Sequence, residues 1–209
     1  MNVLRPVLIL AGLITLWQAV VWATGWPPYI LPGPAAAASA WIANTELIAR
    51  HGALTLAEIL LGLVAGVAFG GASAVVIAYF RPVRRWLLPV LVISQAIPVF
   101  ALAPVLVLWL GYGIASKVAM ASLIIFFPVA ASFYDGLRRT ESGWLDLADT
   151  MNASRWNTLR QVRIPAALPS LASGLRVAVA VAPIGAVVGE WVGSSAGLGH
   201  LMLHANARL

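Results

Sequence analysis

Long apolar runs alternate with short polar connectors along the whole sequence. A membrane-spanning helix needs about 20 mostly apolar residues, and five stretches meet that requirement: residues 3–23, 53–80, 87–110, 114–134 and 166–191. The third contains Pro89, Pro98 and Pro104, which predict a kinked or broken helix, because proline removes a backbone donor and clashes with the preceding turn. Such a break is tolerated in a membrane where neighbouring helices or water satisfy the freed carbonyls. The stretch WPPYILPGP is rigid and non-helical for the same reason, and AAAASAWIANTELIAR after it reads as a short helix lying along the membrane surface. Trp22, Trp26 and Trp41 suit an interfacial belt.

Composition agrees with this pattern. Of the 209 residues, 61% are hydrophobic and 10% are charged, against about 25% charged in a soluble domain. A mean hydropathy of +0.92 leaves too little polar surface to cover a water-soluble globule. The fold class expected is therefore an all-α polytopic membrane protein, with residues 1–209 forming a single transmembrane domain. The N-terminal apolar run is longer than the core of a secretory signal and reads as a retained first helix.

The net charge of +6 lies in connectors between apolar spans, so it points to membrane topology and away from nucleic acid. Arg5 precedes the first span, Arg81, Arg84 and Arg85 follow the second, and Arg138, Arg139, Arg155, Arg160 and Arg163 follow the fourth. These connectors share one side, which the positive-inside rule makes cytoplasmic, with the N-terminus inside. The other side holds Arg50, Lys117 and Arg208.

Small residues form one stripe: Gly62, Gly66 and Gly70 sit four apart on one helix face, where another backbone can approach closely. Packing within the chain is the preferred reading over a subunit or gate interface. Glu58, Arg176 and Glu190 are ionisable groups within spans, each near enough to an end to snorkel or meet water. Glu190 with Trp191 is the candidate for an outer gate or a contact with a delivery protein. Ser94 and Gln95, beside the Pro98 kink, are the candidates for polar groups lining a path. His200 and His204 share a helix face but lack the acidic partner of a zinc helix, so polar packing is preferred to metal binding. The absence of cysteine excludes disulfides and thiolate metal sites, and no phosphate-binding loop is present. No pairing of carboxylates, or of nucleophile and base, suggests covalent catalysis.

The longest polar interruption is residues 135–165. Trp144, Leu145, Ala148 and Met151 make an apolar stripe at helical spacing, in a helix opened by Glu141, Ser142 and Gly143. Asp146 and Asp149 are expected in its first turns, where the helix dipole favours them. Asn152 suits a left-handed helix end. Ser154 can cap a second helix, RWNTLRQVRI, whose C-terminal end Arg160 and Arg163 favour and which Pro165 stops. Pro169 is expected in the first turn of the next span. The loop thus reads as two short helices joined by a tight left-handed turn. An amphipathic hairpin resting on headgroups is the alternative.

This loop resembles the EAA motif of ATP-binding-cassette importer permeases. Asp146, Leu147 and Ala148 stand at the Glu-Ala-Ala places, Asn152 stands at the glycine, and Val162, Ile164 and Pro165 complete the aliphatic-x-aliphatic-proline end. Asp keeps the charge and Asn keeps the left-handed turn, while Leu147 departs from the pattern. WPPYILPGP, SQAIPVFALAPVLVLWLGYG and GEWVGSSAGLGHLM resemble the nitrate, sulfonate and taurine branch of these permeases, and most of all those assigned to hydroxymethylpyrimidine, a thiamin precursor.

The resemblance implies a type I importer-like bundle whose coupling helix docks on an ATPase subunit, with Asp146, Leu147, Ala148, Asn152, Ser154, Arg155 and Pro165 as coupling residues. It implies two permease copies, two ATPases that use ATP and magnesium, and an extracellular or periplasmic solute-binding protein, in a bacterial inner membrane. No cofactor is expected on this chain. Members of the branch usually have one more spanning helix after the region matching residues 201–209, so a fragment, or a bundle completed by something else, is expected. An ATPase-independent transporter or channel is the distant alternative. It would be favoured by paired mid-membrane acids or an inverted repeat, and the sequence shows neither.

Overall fold

A computed structural model describes residues 4–206, together with the side chains of all of these except Ser94 and Asn206. All the described elements are helical. The candidate Ser94 therefore has a place in the backbone only, and Arg208 lies outside the described residues. The chain divides into two compact units, residues 1–50 with 205–209, and residues 51–204.

In the first unit, α1 (Leu4–Thr24) is apolar along its length with no buried residue. A helix apolar on all sides suits lipid. Helix α2 (Pro34–Ala43) starts on Pro34, where the missing N–H costs nothing. It ends at Asn44, and α3 (Thr45–Tyr79) begins one residue later. The expected surface helix is thus divided: only its first part is α2, and residues 45–50 are the opening turns of a 35-residue helix. At about 1.5 Å per residue α3 is roughly 50 Å long, well beyond a hydrocarbon core of about 30 Å. Its first turns carry Glu46 and Arg50, paired at 3.2 Å.

The second unit is built around α6 (Ile114–Arg138). Helix α3 runs parallel to it and α9 (Ile164–Gly193) antiparallel. A Cβ added at Gly62, Gly66 or Gly70 would fall on Ala121, on Ile125 or on the Phe126 carbonyl, all within 3 Å, so these glycines let the two helices touch. On α9, Gly174 and Gly185 do the same against Pro128 and Ala121, and Gly189 lies nearly as close to Lys117, at 3.3 Å. The glycine stripe therefore packs within the chain, as the preferred reading has it. Ala121, Ile125, Val129, Ala178 and Ala182 fill the middle of the bundle, and Ile77, Phe133, Leu137, Leu159 and Ala167 fill one end.

The predicted third span is broken. Helix α4 (Arg81–Ser94) contains Pro89, a 3-10 turn follows over Val99–Leu102, and α5 (Ala103–Leu110) completes the return. Among the described residues, four helices are long and apolar enough to cross a membrane: Leu4–Thr24, Thr45–Tyr79, Ile114–Arg138 and Arg155–Gly193. With the broken α4–α5 segment these correspond to the five predicted spans, the second, fourth and fifth being longer than predicted. Residues 135–138 belong to α6 and not to the polar loop. Helix α10 (Leu198–Asn206) follows α9 after a short turn.

Candidate functional sites at the two ends of the bundle

The polar loop forms the first site. Helix α7 (Ser142–Thr150) ends in a Schellman arrangement: Ala153 N–H donates to the Ala148 carbonyl and Asn152 N–H to that of Asp149, both at 2.9 Å. This closure requires a left-handed residue, and Asn152 has φ 50°. Ser154 then opens α8 (Arg155–Asn157), its Oγ accepting the Asn157 N–H at 3.2 Å. The turn and cap both stand where the sequence places them. The acids differ: Asp146 is mid-helix and Asp149 is near the C-terminal end, so neither is in the first turn, and Glu141 is the acidic residue at the N-terminal end.

Pro165 does not stop the second helix. Residues Thr158–Arg163 widen into a π-helix that leads directly into α9, which contains Pro169 and Pro183 in its interior. Widening the turn changes the hydrogen-bond register just where Pro165 lacks a donor, so the chain continues through the proline without a break. Arg160 and Arg163 therefore lie inside a continuous helical run and not at a helix end.

The loop is fixed to the bundle. Leu159 is buried among Ile77, Phe133 and Leu137. Trp156 meets Tyr79 edge-on at 5.8 Å, and Arg163 Nε donates to the Leu137 carbonyl at 3.1 Å. Ala148 faces inward, whereas Trp144, Leu147 and Met151 are 60%, 60% and 74% exposed. The polar loop thus holds three large apolar side chains outward.

The opposite end holds a buried polar cluster. Thr55 on α3 donates to Glu190 Oε1 at 2.6 Å and accepts the Leu198 N–H at 2.8 Å. Glu190 Oε2 accepts the Gly199 N–H, and the Gly197 N–H donates to His51 Nδ1 at 2.9 Å. Gly197 has φ 109°, and a Cβ there would collide with the Glu190 carboxylate. Glu58 lies beside Glu190 with Lys117 close by. Lys117 Nζ donates to the carbonyls of Tyr112 and Gly113, and Glu58 Oε2 has no hydrogen-bond partner among the described residues. Glu58, Lys117 and Glu190 are 1%, 3% and 1% exposed. The expectation that Glu58 and Glu190 reach water therefore fails: neighbouring helices enclose them, and one of the two clasps the turn before α10. Arg176 is exposed, as is Trp191.

Sequence reasoning placed Lys117 only as an external basic residue and missed Thr55, His51 and the Gly197–Gly199 turn. The signal present was that all three buried charges fall at the same end of their spans. Gln95 and Pro98 flank the break after α4, where Gln95 lines a cavity of about 50 Å³ beside Ile77 and Tyr134. Gln95 is not brought together with Glu190, since its neighbour Tyr134 and the Lys117 beside Glu190 are about 25 Å apart along α6. His200 stacks on His51 at 6.3 Å and lies 4.2 Å from His204. Among the described residues no group of three potential metal ligands is assembled.

A helical bundle of membrane-spanning length, with a rigid polar helix-turn-helix at one end and buried charges at the other, is a multi-pass membrane protein. The chain belongs to the family of binding-protein-dependent transport system inner membrane components, whose family model matches residues 58–209. It is 57% identical to a probable ABC transporter permease protein of Haemophilus influenzae over all of this chain and 85% of that protein. It is 40% identical to the formylaminopyrimidine transport permease protein of Halalkalibacterium halodurans, over 94% of this chain and 79% of the relative. It is also 40% identical to the riboflavin transport system permease protein of Chloroflexus aurantiacus, over 91% and 72%. Permeases named for aliphatic sulfonates and taurine are more distant relatives, so the branch resemblance holds.

Proposed function

We propose that this chain is the pathway subunit of an ATP-driven importer for a small solute, with α7 as its coupling helix. The observation behind this reading is the loop itself. An inward Ala148, outward Leu147 and Met151, a left-handed Asn152 and a Ser154-capped helix continuous with α9 make a rigid knob joined to a membrane helix. A motor that grips such a knob moves α9 with it. Asp146, Leu147, Ala148, Asn152, Ser154, Arg155 and Pro165 are the residues assigned to coupling. Two copies of the chain, a pair of ATPases using ATP and magnesium, and a solute-binding protein complete the machine. The basic connectors put the loop and the N-terminus on the cytoplasmic side. The solute assigned is hydroxymethylpyrimidine or a related thiamin precursor, in keeping with the pyrimidine named for one relative. Nitrate, a sulfonate or taurine is the second reading, in keeping for the last two with the names of the more distant relatives. Gln95, Pro98 and Trp191 remain candidates for the path or gate, with Ser94 next to Gln95 in the chain and Glu190 acting from within the buried cluster.

The test is co-purification of the partner ATPase with Asp146→Lys, since Asp146 is exposed and a reversed charge opposes docking without disturbing the bundle. The expected result is normal membrane insertion with the ATPase lost. Undiminished co-purification and transport would overturn the assignment.

A further inference from the structure

At the end of the bundle that holds the polar loop, a cleft of about 480 Å³ opens between α3, α4, α7 and α8. Arg81, Arg84, Arg155 and Arg163 line it, with Asp149 as the one carboxylate in its wall. Among the described residues the only ion pair within 4.0 Å joins Arg50 to Glu46, so none of these four guanidinium groups is paired with a carboxylate. Four cations facing one acid leave an excess of positive charge in a concave space, where a phosphate can take paired hydrogen bonds from arginine.

The neighbouring surface indicates what the phosphate belongs to. Residues Val83, Trp86, Leu87 and Val90 recur at helical spacing along α4 and, with Pro82, line an apolar groove. Trp86 is 78% exposed. Two of the four arginines, Arg81 and Arg84, share the first turns of α4 with this groove, and Arg84 and Leu87, three residues apart, lie on adjoining edges of the charged cleft and the apolar groove. Basic pockets between membrane helices suit anionic headgroups. We propose that this cleft and groove form a binding site for one anionic phospholipid, its phosphate held by Arg81, Arg84, Arg155 and Arg163 and an acyl chain laid along Val83, Trp86, Leu87 and Val90. Leu145 and Asp149 of α7 form part of the cleft wall, so the bound phosphate would lie against the polar loop.

The test is native mass spectrometry of the detergent-purified full chain, offered phosphatidylglycerol or phosphatidylcholine of identical acyl composition. Wild type should retain phosphatidylglycerol in clear preference. Arg81→Gln with Arg84→Gln should lower that retention by roughly tenfold or more, while Arg160→Gln, outside the cleft, should leave it unchanged. Asp149→Asn should raise retention, a gain that misfolding cannot produce. Equal retention of the two lipids by wild type, or undiminished phosphatidylglycerol on the double variant, would overturn the site. If millimolar inorganic phosphate displaces the lipid from wild type, the cleft is a soluble-phosphate site and the lipid assignment fails.

Discussion

Thr55 and Glu190, separated by 135 residues in sequence, share a 2.6 Å hydrogen bond in the interior of the bundle. The same hydroxyl accepts the Leu198 N–H, so one side chain ties α3 to α9 and to the start of α10. Removing it strands a buried carboxylate oxygen and a backbone N–H. Thr55→Val should lower stability by about 1–3 kcal/mol, read as a lower unfolding temperature in detergent. Thr55→Ser should retain most of the wild-type value.

Close approach of α3 and α6 should be equally sensitive. A side chain at Gly66 meets Ile125 and the Ser122 carbonyl within 3 Å, whereas one at Gly71 meets open space. Gly66→Val should cost about 1–3 kcal/mol through overpacking, and Gly71→Ala should be near neutral. Similar unfolding temperatures for the two variants would contradict the packing.

Asn152 tests the turn. At φ 50°, Asn152→Gly should be tolerated or slightly stabilising. Asn152→Val should cost about 1–2 kcal/mol for a branched side chain in the left-handed region, seen as reduced thermal stability of the purified chain and reduced transport.

Orientation can be read chemically because the chain has no cysteine. Ser39, Ser142 and Asn157 are all exposed, so single cysteines there are accessible. An impermeant thiol reagent on intact cells should label Ser39→Cys and spare Ser142→Cys and Asn157→Cys. The opposite pattern would place the loop away from any cytosolic ATPase.

These tests divide between what the sequence makes visible and what it hides. Asn152 and Ser154 are legible because a left-handed helix end and a capping hydroxyl are satisfied within a few residues of themselves. The glycine stripe is legible because its spacing matches the helix period. The fate of Pro165 is not, because a proline that ends a helix and one carried through a widened turn look alike in sequence. The cluster at Thr55, Glu58, Lys117 and Glu190 is hidden for another reason: its members come from three helices, and only the packing register brings them together. A charged residue near a span end reads as reaching water until the neighbouring helix is known to cover it.

The π-helical turn at Thr158–Arg163 sets an angular relation between the polar loop and the membrane. Each residue of an α-helix advances about 100° around the axis, so a one-residue change in this turn would rotate every loop side chain relative to α9 without altering a single residue at either surface. Two faces of one rod are thereby keyed to each other like the bits of a key on a common shaft. The knob formed by α7 and the buried face of α9 can change in composition independently, provided that this offset is kept.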